Sequence, residues 1–339
     1  MILIHHFEPR RSGPDDTSLL VQHQLGAGEP IPPNVVWIDL LEPTRDERQE
    51  AEAFAAIRLP TPEEMDEIEP SELLYSEDGA HYMTARVLSR SSAEQQPKIA
   101  NVSFVRKRHL LVTLRYDDPR PFQAFAQRCQ RSGLADADAE AVFVGLVDSI
   151  VGRAAEVLRI AGDRIDALSN GIFAQAAQRG RTQTREYQGN LAAIGSEGGR
   201  ISRVRESLVS LELMLRFASQ SGARNGRGGK SEEEPSGHIG TMLRDIGSLE
   251  THTEFLSGKV QFLLDTLLGL VNLNQNDIIK ILSVITVIFT PPTFFASMYG
   301  MNFKNIPEYD WTYGYQYGLV LMLLSAVLPY LFFRWKRWL

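Results

Sequence analysis

Apolar positions follow three successive rhythms along the 339 residues. Up to about residue 130 they come as short β-branched or alternating runs at residues 2–7, 35–40, 73–76, 81–88, 101–105 and 110–115. These predict strands. Glu77-Asp78-Gly79 predicts a hairpin turn, and Pro43-Thr44 ahead of residues 45–57 predicts a capped helix. The first 130 residues therefore predict an α/β domain with a mixed sheet. From about residue 136 the period lengthens to that of a helix: Val142, Leu146, Ile150, Val157, Ile160, Ile165 and Leu168 share one face. A second helix is predicted over 184–218, after a polar turn at 178–182 containing Gly180. The helical region spans 131–238 and includes a polar stretch, 219–237, which is expected to remain a mobile loop.

A third rhythm starts at Ile239 and continues through Met242, Ile246, Leu249, Thr253, Leu256, Val260, Leu263, Leu267 and Leu270. Steps of three and four make a heptad stripe, which predicts packing against neighbouring helices or copies. No proline intervenes before Pro291. The stalk (239–280) should therefore run directly into an uncharged stretch, 281–301, as one helix of about 60 residues and about 90 Å. A second uncharged stretch covers 311–333. Crossing a bilayer takes about 20 apolar residues, so both predict transmembrane helices, joined by a loop at 302–310 and followed by a basic tail at 334–339.

Charge sets the expected orientation. Arg334, Lys336 and Arg337 follow the second span without an acid, which puts the C-terminus in the cytosol. Two spans return the N-terminal part to the same side. Trp311, Tyr313, Tyr315 and Tyr317 at one end, and Trp335 and Trp338 at the other, predict aromatic belts. The start of the chain lacks a signal-peptide pattern. Net charge is −7, which disfavours a nucleic acid partner and suits cations. Cys129 is the sole cysteine, so no internal disulfide can form.

Polar residues of the first span are ordered. Asn276, Ser283, Thr286, Thr290, Thr293 and Ser297 are separated by seven, three, four, three and four positions, one continuous face. One reading is structural: hydroxyls bond the carbonyl one turn back or join helices. The other is a pore wall without fixed charge, suited to an ion that keeps its waters. Pro291-Pro292 removes two backbone donors and should bend the helix. Lys280 most simply snorkels to headgroups. The acidic run Glu63, Glu64, Asp66, Glu67, Glu69 and Glu72 reads as a solvated helix face. Dispersed histidines give no zinc spacing. No nucleophile–base pair, P-loop or dinucleotide fingerprint supports catalysis.

Tyr299-Gly300-Met301-Asn302-Phe303, then Ile306-Pro307-Glu308 and an aromatic-rich second span ending in Arg334-Trp335-Lys336-Arg337-Trp338-Leu339, resembles the CorA family of divalent-cation channels. Asn274-Gln275-Asn276, Ile279-Lys280, Pro291-Pro292-Thr293 and, upstream, Val36-Trp37-Ile38-Asp39-Leu40 extend the likeness. The resemblance implies fold class α+β/α: a cytosolic α/β domain, and a stalk helix continuous with the inner of two transmembrane helices, in a homopentamer of the inner membrane. It implies a filter of Gly300, Met301 and Asn302, with the Asn302 amides contacting the waters of hydrated Mg²⁺. Glu308 would attract cations to the mouth, and Asn276, Thr290 and Thr293 would line the pore. It also implies closure by intracellular Mg²⁺ bound between subunits, with Asp265 at a regulatory position. Asp78 or Glu77 in the hairpin turn are the candidate partner carboxylates. The expected function is Mg²⁺ influx, with Co²⁺ and Ni²⁺ as further ions. A Zn²⁺ transporter of the ZntB type and a membrane-anchored sensor or scaffold are the alternatives.

Overall fold

Seven strands form one mixed sheet in the order β2-β1-β3-β7-β6-β5-β4. The computed structural model describes residues 1–9, 18–26, 29–89, 96–132, 138–177, 184–225, 237–301 and 311–336. The strands are β1 (Ile2–Pro9), β2 (Ser18–Gln24), β3 (Val35–Leu41), β4 (Leu74–Glu77), β5 (Ala80–Ser89), β6 (Lys98–Lys107) and β7 (Leu110–Arg115). Central β3 pairs with β7 in parallel, while every other pairing is antiparallel. The helices are α1 (Arg45–Ala55), α2 (Pro62–Met65), α3 (Pro70–Leu73), α4 (Arg120–Ser132), α5 (Ala139–Ala177), α6 (Thr184–Asn225), α7 (Gly237–Tyr299) and α8 (Gly314–Trp335). Two units result, Met1–Leu263 and Leu264–Leu339, and the division falls within α7.

Local chemistry explains several boundaries. Thr44 begins α1 with a capping box: its hydroxyl accepts from Glu47 N at 3.3 Å, and Glu47 accepts from Thr44 N at 2.8 Å. The β4–β5 turn places Asp78 at φ 49° and Gly79 at φ 75°. Both central residues are left-handed, as a type I′ two-residue hairpin requires. The acidic run spans α2, α3 and their connections, mostly in solvent.

A buried polar clamp joins β3 to β7. Arg115 donates to both oxygens of Asp39, at 3.0 Å from Nε and 2.8 Å from Nη2. Thr113 Oγ1 donates to Asp39 Oδ1 at 2.7 Å and accepts from Trp37 Nε1 at 2.9 Å. The Arg115 guanidinium lies 4.6 Å from the centre of the Phe122 ring on α4. Asp39 and Arg115 are each only 2% exposed, so the pair stands or falls together.

His5 is also buried, stacked on Trp37 with ring centres 3.9 Å apart. Burial, the largest influence, lowers its pKa from 6.5 to about 4, and nearby Arg115 lowers it further while Asp39 opposes. Above pH 6.5 the ring is neutral in both folded and unfolded chains, so its protonation makes no difference to stability. As pH falls from 6.5 towards 4, the unfolded chain takes up a proton that the folded one resists. The N-terminal unit should then lose about 3 kcal/mol of stability. Denaturation midpoints recorded across that range will show the loss, and His5→Phe, which keeps the stack, will flatten it.

Helix α6 closes an open sheet edge. β4 pairs only with residues 80–83 of β5, leaving the rest of that edge without a strand among the described residues. Ser207 Oγ donates to Arg86 O at 2.8 Å, and Ser210 Oγ accepts from Arg86 N at 2.9 Å. Glu206 pairs with the Arg86 side chain at 2.6 Å. Helical serines thus satisfy a strand's main chain where a neighbouring strand otherwise would.

The heptad stripe of α7 is buried from Ile239 to Leu263 apart from half-buried Leu249, and the chain itself covers it. Leu256 faces Gly162 of α5 and Val260 faces Gly198 of α6. A Cβ on residue 198 would sit 3.4 Å from Val260 Cγ1, so glycine there allows close approach of the helices. Lys259 pairs with Asp166 of α5, and Arg205 of α6 with Glu254 at 3.3 Å. The loop expected over 219–237 starts later than expected. Residues 219–225 continue α6, because Ala218 and Ser221 are buried and carry the helix onward. Gly237 already belongs to α7, and residues 226–236 lie outside the described residues.

Candidate functional site

The second unit contains the C-terminal part of α7 and α8. Both helices are long and apolar enough to cross a membrane. On α7, Val284 is buried and Ile288, Pro291, Pro292, Phe295 and Tyr299 are half-buried, while on α8 Gly318 is buried. Steps of three and four put the α7 members on one side. Near the end of α7, Ala296, Tyr299 and Gly300 line one cavity with Gly314, Gly318 and Leu319.

The opposite side of α7 carries the hydroxyls. Ser283, Thr286, Thr290, Thr293 and Ser297 are exposed, as is Asn276 below them. The upper members line a shallow groove with Ile285, Phe289 and Phe294 on its flanks. Each polar strip is thus bordered by exposed apolar side chains, as a stave of a ring of helices would be. The helix continues through Pro291 and Pro292. Neither proline can donate to the carbonyl one turn below, so those of Val287 and Ile288 lack their usual partner.

Three hydroxyls do make the bond of the structural reading. Thr286 Oγ1 donates to Leu282 O at 2.9 Å, Thr290 Oγ1 to Thr286 O at 2.6 Å and Thr293 Oγ1 to Phe289 O at 2.8 Å. Back-bonding satisfies the hydroxyl proton but leaves the oxygen on the exposed face, so it does not exclude a pore wall.

At the end of α7, Gly300 N donates to Ala296 O at 3.0 Å and Met301 N to Met298 O at 3.3 Å. A Cβ on residue 300 would come 3.2 Å from Ala296 O, so glycine lets the chain turn tightly off the helix. Met301 is exposed. Asn302 and Glu308 lie outside the described residues. Glu77 and Asp78 are exposed at the β4–β5 turn of the first unit, and Asp265 is exposed on α7 in the second. Among the described residues, no three His, Cys, Asp or Glu side chains gather as a metal site. Where α6 meets α7, burial raises the pKa of Glu250 above the usual carboxylate range, and the charge of Glu212 adds to it. Sequence reasoning overlooked that carboxylate, whose only sequence signal is its place beside the buried stripe.

Comparison with known proteins agrees with this architecture. The family model described as CorA-like Mg²⁺ transporter protein matches residues 33–337. The magnesium transport protein CorA of Yersinia pseudotuberculosis is 32% identical over 305 residues, covering 90% of this chain and 92% of that protein. The Escherichia coli K12 protein of the same name is 32% identical over 308 residues, with the same coverage. Among solved structures, the CorA magnesium transporter of Methanocaldococcus jannaschii superposes with a TM-score of 0.74 at 16% identity, covering 100% of this chain and 99% of that one. The cytoplasmic domain of ZntB from Vibrio parahaemolyticus gives 0.56 at 12% identity over 80% of this chain and 98% of its own. At those identities the structures speak for the fold alone. A family match over most of the sequence, two apolar helices at its end and a mixed-sheet N-terminal unit together place this chain in the CorA-like Mg²⁺ transporter family.

Proposed function

We propose that this chain forms a channel for hydrated Mg²⁺ across the inner membrane, with both termini in the cytosol and several copies, five by family resemblance, around one path. The observation that carries this reading is the uncharged hydroxyl face of α7, exposed opposite the partly buried side of the helix. A membrane anchor has no use for such a face, whereas copies arranged around an axis would turn it inward. Relatives matching about 90% of the chain are named as magnesium transport proteins, which favours Mg²⁺ over the Zn²⁺ of the ZntB alternative. Mg²⁺ sheds water reluctantly and is commonly held through its shell, a habit that suits amides and hydroxyls. Entry would be driven by the membrane potential, about 2.3 kcal/mol per charge per 100 mV. Asn302 would contact the shell at the outer mouth and Glu308 would concentrate cations there. Co²⁺ and Ni²⁺ are further ions such a path would admit.

The direct test is flux. Full-length protein in liposomes loaded with a Mg²⁺-sensitive dye, under an inside-negative potential, should admit Mg²⁺. Uptake of Zn²⁺ alone would favour the ZntB-type reading, and no divalent flux at all would leave an anchor.

Regulation is the finer part of the reading. Asp265 on the stalk of one copy, facing Glu77 or Asp78 of its neighbour, would repel it until a cation sits between them. Intracellular Mg²⁺ bound there would hold the closed packing. Asp265→Ala should then weaken Mg²⁺-dependent protection from protease, read as the Mg²⁺ concentration that halves the cleavage rate. An unchanged concentration removes Asp265 from that role.

A further inference from the structure

We propose that Glu250 makes the junction of α6 and α7 a proton-sensitive latch, which grips α7 when the carboxyl is protonated and loosens when it is ionised. The inference concerns the N-terminal unit and stands apart from the channel reading.

The latch shows in how the charges at this junction are shared. Glu250 lies on α7 with Ile246 and Thr253, both buried, about one turn to either side. Its Oε1 is shut off from solvent and has no hydrogen-bond partner. Thr253 Oγ1 gives the carboxylate no help, because it donates to the Glu250 main-chain carbonyl at 2.6 Å. The nearby cations are already engaged. Arg205 of α6 pairs with Glu254 of α7 at 3.3 Å, and Arg216 holds Glu212, both on α6, through bonds of 2.6 and 2.9 Å. Glu212, Glu250 and Glu254 thus share the junction with two guanidiniums, and Glu250 is the carboxylate without one of its own.

A carboxylate oxygen stripped of water and left unpaired favours the neutral acid. Burial, the largest influence, and the charge of Glu212 accordingly raise the Glu250 pKa above the ordinary 4.5. Glu254 adds to the rise, while Arg205 and Arg216 oppose it. Proton uptake removes the surplus negative charge and lets the two helices close on each other. Ionisation restores it between Glu212 and Glu254. Helix α7 continues without a break to Tyr299, so this proton sits on the same helix that carries the hydroxyl face. Acidification around the N-terminal unit would therefore tighten its hold on the stalk.

The test compares wild type, Glu250→Gln and Glu250→Ala as full-length proteins in detergent, with thermal unfolding followed across pH. Glutamine keeps the shape of the protonated acid and never ionises. As pH rises above 4.5, the unfolded wild type releases a proton that the folded chain retains. Wild type then loses stability until the folded pKa is passed. Glu250→Gln should match wild type near pH 4.5 and unfold about 2–4 °C higher at about pH 7.5. The influence of His5 is common to all three proteins and cancels in the difference. Glu250→Ala, which also loses packing, should start lower yet gain on wild type by the same amount over that range. At about pH 7.5, amides of residues 246–254 should exchange at least about threefold more slowly in Glu250→Gln than in wild type, because local opening is rarer. A gap between variants and wild type that stays constant across pH would overturn the proposal. So would equal exchange rates.

Discussion

Asp39→Ala is expected to destabilise the N-terminal unit by about 3–5 kcal/mol, the range for removing one member of a buried ion pair. The reason is what stays behind. Arg115 would keep its charge at 2% exposure over the Phe122 ring, with Asp118 its remaining carboxylate partner at 2.6 Å. Thr113 would lose the acceptor for its hydroxyl, and with it the order of the Trp37–Thr113–Asp39 chain. Against a typical net stability of about 5–15 kcal/mol, such a loss could leave the unit largely unfolded at growth temperature. Arg115→Met combined with Asp39→Ala should be milder than Asp39→Ala alone, because apolar replacement of a whole buried pair is often close to neutral. Denaturation of the purified full-length chain in detergent, run as a double-mutant cycle, measures both. A single-variant cost below about 1 kcal/mol would mean that water reaches the clamp.

Asn302→Ala is expected to reduce Mg²⁺ flux by roughly fiftyfold or more. The substitution removes one amide per copy from the proposed mouth. If each amide contributes about 0.5–1.5 kcal/mol through a water-shell hydrogen bond, the proposed five copies would sum to at least about 2.5 kcal/mol, and each 1.36 kcal/mol is tenfold in rate. Assembly should be unchanged, because alanine removes no charge. Stopped-flow dye kinetics at matched protein density provide the measurement. A decrease of less than about threefold would place the rate-limiting contact elsewhere along the path.

Much of the fold was legible where a residue type answers one specific demand. Asp78-Gly79 announced a hairpin because few other pairs adopt two positive φ angles, and Pro43-Thr44 announced the start of α1, where the structure adds Glu47 as the reciprocal cap. The stripe from Ile239 was equally legible as a face. Its partner was not, because a period shows that a side is covered without showing by what, and α5 and α6 of the same chain turned out to cover it. Strand β2 escaped notice: it lies at the sheet edge, pairs only with β1, and its Gln22, His23 and Gln24 are exposed, so its pattern lacks an alternating core face. The continuation of α6 to Asn225 escaped for the opposite reason, since burial at Ala218 and Ser221 overrides a polar local composition. On the candidate site, spacing alone revealed the hydroxyl face, but the direction of each hydroxyl proton required coordinates. Asp39 was visible as a charge within the apolar run of β3, and only the parallel pairing with β7 supplied Arg115 as its partner.

The two serines of α6 that satisfy Arg86 impose an order on biosynthesis. Ser210 lies 124 residues after the strand it completes. At about 5–20 residues per second, the ribosome needs roughly 6–25 s to deliver it. Throughout that interval the nascent sheet carries an unsatisfied edge along β5, able to pair with any extended segment nearby. Variants lacking Ser207 and Ser210 would prolong this interval into the finished protein, so their first symptom should be aggregation during expression, before any change in transport.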